Sequence, residues 1–165
     1  MSAPEPPTGS ESAHPAGRPG RPRVDFYVIE EAAAAARLRL ACRLAEKAWL
    51  TGATVLVWHT DRAELESFDE LLWTFSDGSF VPHDWLSSNG REERAPVSLS
   101  VDPAPEADAD VVINLASEPP AFLPRVRRLV EVLDGDQARR RAGRARFKTY
   151  RELGLEPNYH ALRSA

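Results

Sequence analysis

At 165 residues, 42% hydrophobic and 28% charged, the chain has the size and balance of one soluble globular domain with its own core. No apolar run approaches the roughly 20 residues of a membrane span, the N-terminus lacks the apolar stretch of a secretion signal, and a lone Cys42 excludes a disulfide framework or multi-cysteine metal site. A cytoplasmic location is expected. The net charge of −4 hides a split: Arg125 to Arg151 carries ten Lys and Arg against three Asp and Glu, a formal +7, leaving −11 elsewhere. That imbalance assigns an electrostatic task to the basic segment, the bland alternative being a solvated Arg-rich helix face.

Residues 1–23 hold six prolines with Gly, Ser and Glu and little to bury, which predicts a disordered tail. The folded domain is expected over 24–155, with 156–165 as a C-terminal tail. "VDFYVIE" (24–30) reads as a strand rich in β-branched and aromatic residues. The helix that follows places Leu38, Ala41, Cys42, Ala45, Ala48 and Trp49 on one stripe and ends at Thr51-Gly52. "ATVLVWH" is apolar without alternation, the pattern of a strand covered on both faces. Asp61 with Glu64 three residues on starts a second helix, whose core side carries Leu65, Phe68 and Leu72 and whose end carries Trp73.

An aromatic-rich loop follows within "LLWTFSDGSFVPHDW" (71–85), then a polar stretch and two further strands in "APVSLSV" and "ADVVINLA". "SEPPAFLPRVRRLVEVLDG" (117–135) predicts a helix capped by Ser117, with Phe122, Val126, Leu129, Val130 and Leu133 as its stripe. "DQARRRAGRARFKTYRELG" predicts a last, strongly basic helix with apolar contacts at Phe147, Tyr150 and Leu153. Gly143 within it costs about 1 kcal/mol relative to Ala, which implies a packing need for small size. The order of elements predicts a single Rossmann-like α/β domain with a mostly parallel sheet and flanking helices.

Catalytic and cofactor motifs are missing where this fold class would carry them. The first strand runs into "EEAAAAARL", without the glycines of a dinucleotide or P-loop turn and with two carboxylates that would repel a pyrophosphate. There is no G-x-S-x-G elbow, and Cys42 on an apolar stripe reads as a buried thiol. His14, His59, His83 and His160 show no ligand spacing. No cofactor, metal or catalytic residue is expected; a site shared by His59 and His83 is the residual enzymatic alternative.

The order of "FYVIE", "CRLAEKAWLTGATVLV", "ELLW", "SFVPH", "DVVINLA" and "RARFKTYRELG" resembles the chi subunit family of bacterial DNA polymerase III, over about 24–155. The resemblance implies a Rossmann-like fold without a nucleotide site and a non-catalytic accessory role in DNA replication. It further implies two partners: the psi subunit, which tethers chi to the clamp loader, and the acidic C-terminal tail of single-stranded DNA-binding protein (SSB), which ends in an apolar residue and a free carboxylate. By the "R-x-R-F-K-x-Y-R" match, the tail is expected at Arg144 and Phe147, with Trp73 nearby and Arg140 and Arg146 among the steering charges. A guanidinium suits a carboxylate, and an aromatic one turn away suits an apolar end group. Phe147 stands where Tyr is common, and filling the core is its competing role. Psi is expected on Phe80, Val81 and Pro82, with burial of Phe80 in its own domain as the alternative. Two other functions stay open, direct single-stranded nucleic-acid binding by the Arg-rich helix and a repair adaptor role with a helicase.

Overall fold

The computed structural model describes residues 17, 21–86, 94–105 and 108–163. Most of the expected N-terminal tail and the polar stretch 87–93 lie outside the described residues. "RVDFYVI" forms β1 (Arg23–Ile29), in which every residue after Arg23 is buried. Alternate side chains pass to opposite faces, so Tyr27 and Ile29 join one core layer while Val24, Phe26 and Val28 join the other.

Helix α1 (Ala34–Leu50) covers the first layer with Ala36, Leu40, Ala41, Cys42, Ala45 and Ala48. It stops where Gly52 adopts φ +90° and its N–H returns to the Trp49 carbonyl. Burial pushes the Cys42 thiol up to about 12, as expected of an inert core cysteine. After β2 (Val55–Trp58), α2 (Arg62–Thr74) is capped by Asp61, whose carboxylate accepts from the Glu64 N–H, and it buries Leu65, Phe68 and Leu72 beside α1. Strands β3 (His83–Trp85), β4 (Val97–Ser100) and β5 (Val111–Asn114) follow.

The segment expected to be a helix over 117–135 is not one. A single 3-10 turn at Leu123–Arg125 leads into β6 (Arg128–Leu133), so that Leu129 and Leu133 point to one layer and Val130 and Val132 to the other. Pro119, Pro120 and Pro124 withhold amide donors over the first turn and a half. An apolar run buried on both faces also matches a helical stripe by chance, an ambiguity that periodicity alone does not resolve. Helix α3 (Gln137–Glu152) then starts at Asp136, whose side chain accepts from the Arg139 N–H, and it packs on the second layer. The last described element is β7 (Asn158–Leu162), within the segment read as a tail.

All six strand pairings are parallel, in the order β3-β4-β2-β5-β6-β1-β7. With α1 and α2 on one face and α3 on the other, the fold is the α/β architecture expected.

Candidate functional site

In open parallel sheets, ligands collect where neighbouring strands send their connections to opposite faces. Here that place is the C-terminal end of the adjacent strands β1 and β6, which lead to α1 and α3 respectively. The chain fills it with its own atoms. Gly135 donates to the Glu31 carbonyl at 2.9 Å and lies so close to Glu30 that a Cβ would sit 2.1 Å from the Glu30 oxygen. Arg140 donates to the Asp134 carbonyl (2.9 Å) and the Ile29 carbonyl (3.1 Å), capping both strand ends. Arg139 holds the Asp134 carboxylate through two nitrogens. Burial raises the Asp134 carboxyl, but the hydrogen bond and charge of Arg139 outweigh it and leave the group below its ordinary range. Beneath, Arg37 on α1 donates to the carbonyls of Val132 and Leu115, and burial pulls its guanidinium down to about 10.

Two of the residues expected to receive an acidic tail are therefore committed elsewhere. Arg140 is half-buried on strand-end carbonyls. Arg146 is 3% exposed and meets the fully buried Glu131 through Nε and Nη2 at 3.1 Å, while its third nitrogen donates to the Ser117 carbonyl. Tyr150 Oη and Asn114 Nδ2 donate to the same Glu131 carboxylate, and burial with that charge drives the Tyr150 hydroxyl well above its ordinary value. Arg146 is thus a core residue, because it lies on the inward stripe of α3 with Gly143 and Tyr150.

Arg144, two positions away, faces outward and is exposed. It lines a groove of about 660 Å³ between α3 and β7, floored by Phe26 and Leu133 and walled by Phe147 and Tyr159. Phe147 is half-buried: it packs at 5.3 Å on Phe26 and also lines the groove. Lys148 and Arg151 add positive charge to the rim, against Glu152. Leu133 closes the floor beneath Gly143, where a Cβ would meet Leu133 Cδ1 at 2.4 Å, so the small residue lets α3 approach β6.

Trp73 is not part of this groove. It ends α2 on the other face of the sheet, beside the opposite edge strand β3. Its ring lies 5.6 Å from Phe80 and 4.2 Å from His83, and with Trp73 at 49% and Phe80 at 63% exposure the pair forms an aromatic patch. Phe80 is therefore not buried in its own domain. Val81 is: it is 0% exposed and belongs to the core, while Pro82 is half-buried. His83 supports the patch from below, with Nδ1 2.7 Å from the Val81 carbonyl and Nε2 2.9 Å from the Asp69 carboxylate.

His59 and His83 do not meet. His59 follows the C-terminal end of β2 and faces Glu64, whereas His83 is level with Val55, four residues or about 13 Å lower along the strands. Among the described residues no three His, Cys, Asp or Glu side chains gather as a metal set, and no helix is long and apolar enough to cross a membrane.

Residues 22–158 match the family model described as DNA polymerase III chi subunit, HolC. The chain is 41% identical over 140 residues to the DNA polymerase III subunit chi of Pseudomonas aeruginosa, covering 85% of this chain and 96% of that protein. It is 28% identical over 121 residues to the subunit of the same name in Escherichia coli K12, covering 73% and 82% respectively. The groove, the aromatic patch and the self-filled switch point thus sit on a protein of the DNA polymerase III chi subunit family, an accessory component of the replication machinery.

Proposed function

We propose that this protein is a non-catalytic adaptor that links the clamp-loader complex, through psi, to the acidic C-terminal tail of SSB. The observation that carries this reading is the groove between α3 and β7. An apolar slot with Phe26 and Phe147 inside and Arg144, Lys148 and Arg151 on its rim suits a peptide that is acidic, ends in an apolar side chain and carries a free carboxylate. The Trp73–Phe80 patch supplies a second, separate face for psi, with a repair helicase as the other candidate occupant.

Arg144→Ala is expected to weaken a labelled SSB-tail peptide at least tenfold, about 1.4 kcal/mol, without unfolding the protein. Labelled single-stranded DNA titrated in parallel supplies the contrast. Tight DNA binding with no peptide binding, or unchanged peptide affinity in folded Arg144→Ala, would overturn the adaptor reading.

A further inference from the structure

The basic-helix motif supplies only one wall of the groove. The other comes from β7, a strand that no apolar run announced, and its contribution is Tyr159. In the β1–β7 register Tyr159 lies opposite Phe26, so both rings emerge on the face that α3 covers. Tyr159 is 59% exposed. A single exposed aromatic needs no explanation, but this one completes a contiguous apolar lining with Phe26, Leu133 and Phe147.

Its position is fixed from both sides. Asn158 Nδ2 reaches the Val24 carbonyl at 3.4 Å. His160 stacks on Tyr27 at 4.5 Å and faces the Asp25 carboxylate at 3.0 Å. Asp25 is in turn held by Arg128, which also donates to Tyr27 Oη. An edge strand anchored in this way presents the ring from an already ordered backbone, which leaves only the side chain itself to be ordered on binding.

Resting on the tail-binding reading of the groove, we infer that Tyr159 is a specificity-determining residue for the terminal side chain of the bound peptide. With the terminal carboxylate on Arg144, that side chain enters between Phe147 and Tyr159 above Phe26. Phe26 and Phe147 meet at a tilted angle of 52°, and with the Tyr159 ring beside them they favour an aromatic guest, because edge-to-face contacts add to the apolar area buried. Phe147 is already spent in part on Phe26, at 5.3 Å. The selectivity for an aromatic over a small terminal residue therefore comes from Tyr159.

The test compares the full-length wild type with Tyr159→Ala, Tyr159→Phe and Arg144→Ala. The probes are short labelled peptides of consecutive aspartates ending in Phe or in Ala, with free carboxylates. Tyr159→Ala is expected to weaken the Phe-ended peptide about fivefold and the Ala-ended peptide less than about twofold, collapsing the selectivity, while Tyr159→Phe retains it. An unchanged Phe-to-Ala ratio in Tyr159→Ala, with Arg144→Ala still deficient, would overturn this inference and leave the tail site standing. No peptide binding by the wild type would overturn both. Loss of single-stranded DNA binding in Tyr159→Ala, with peptide affinities unmoved, would assign the ring to base stacking and overturn it as well.

Discussion

Arg144 and Arg146 stand two residues apart in "RARF", yet their removal is expected to break different properties. Arg146 is 3% exposed and Glu131 0%, and the guanidinium meets the carboxylate through Nε and Nη2, both at 3.1 Å. A third nitrogen binds the Ser117 carbonyl at 2.8 Å. Arg146→Met keeps the apolar stem but leaves Glu131 with only two neutral donors, Tyr150 Oη and Asn114 Nδ2. Breaking a buried pair from one side costs about 3–5 kcal/mol, because the remaining charge has lost its counter-ion inside the core. Against a total stability of about 5–15 kcal/mol, that is a large fraction. It corresponds to a melting temperature lower by on the order of 10 °C for a domain of this size.

Equilibrium unfolding in urea, followed by tryptophan fluorescence, reads the change through the midpoint at constant slope. Trp58, 2% exposed and packed edge-on against Phe122 at 5.4 Å, reports on the layer that holds the pair. In the folded fraction of Arg146→Met, tail-peptide affinity should stay within about twofold of wild type, whereas Arg144→Ala should show the reverse pattern. If the single variant does not fold, Glu131→Gln with Arg146→Met decides the matter. Removing both charges should restore more than half the loss, since the orphaned carboxylate is gone. A single variant within about 0.5 kcal/mol of wild type would refute the reasoning, as would one that folds normally but loses the peptide.

Three further outcomes follow from particular contacts. Burial raises the Asp25 carboxyl, but hydrogen bonds from His160 and Arg128 and the charges of Arg128 and Arg23 outweigh it and set the group below its ordinary 3.8. A lowered folded-state value means stability present above the unfolded value and lost as pH falls through the folded one. Asp25→Asn should therefore cost about 2 kcal/mol at pH 7 and flatten the acid loss below about pH 4, read from urea midpoints across pH. Gly135→Ala drives a Cβ to 2.1 Å from a backbone oxygen that has no free room, and should cost about 1–3 kcal/mol or more. Gly143→Ala meets only the end of the Leu133 side chain and gains about 1 kcal/mol of helix propensity, so its midpoint should fall less than that of Gly135→Ala. Trp73→Ala and Phe80→Ala should each weaken capture of psi in a pull-down while leaving tail-peptide affinity unchanged; a peptide defect in Trp73→Ala would show that the two faces are coupled.

The helices were legible because their buried residues recur at helical spacing. Leu65, Phe68 and Leu72 are each 0% exposed, and the Asp61 cap and Gly52 stop stand where the sequence places them. Strand β6 was not legible. With both faces covered it does not alternate, and Glu131 reads as a solvated position when it is in fact the anchor of α3. Strand β7, "NYHAL", has no apolar run at all and is held instead by Asn158 and His160. A signal for the fate of Arg146 was present: Gly143, Arg146, Phe147 and Tyr150 fall at 0, 3, 4 and 7, the inward stripe of the helix. Arg144, about 200° from Arg146 around the axis, then has to face outward. Trp73 carried no such signal, because its assignment depended on which face of the sheet α2 covers.

That placement changes what the protein can do if it is the adaptor proposed above. Had Trp73 lined the tail groove, the psi face and the tail face would have abutted through the loop 74–80, and the two partners would compete for space. Instead the patch lies beside β3 and the groove beside β7, the first and last strands of the sheet, and the two are served by helices on opposite faces. Six inter-strand spacings of about 4.8 Å separate those edges by about 29 Å. With the two faces assigned as proposed, simultaneous occupancy needs no rearrangement, and the parallel sheet is the spacer between the two docking events. On the proposed reading, binding at one face should leave affinity at the other unchanged, since linkage requires a state that both sites bias. A tail-peptide titration that shifts by more than about threefold when psi is saturating would contradict this separation.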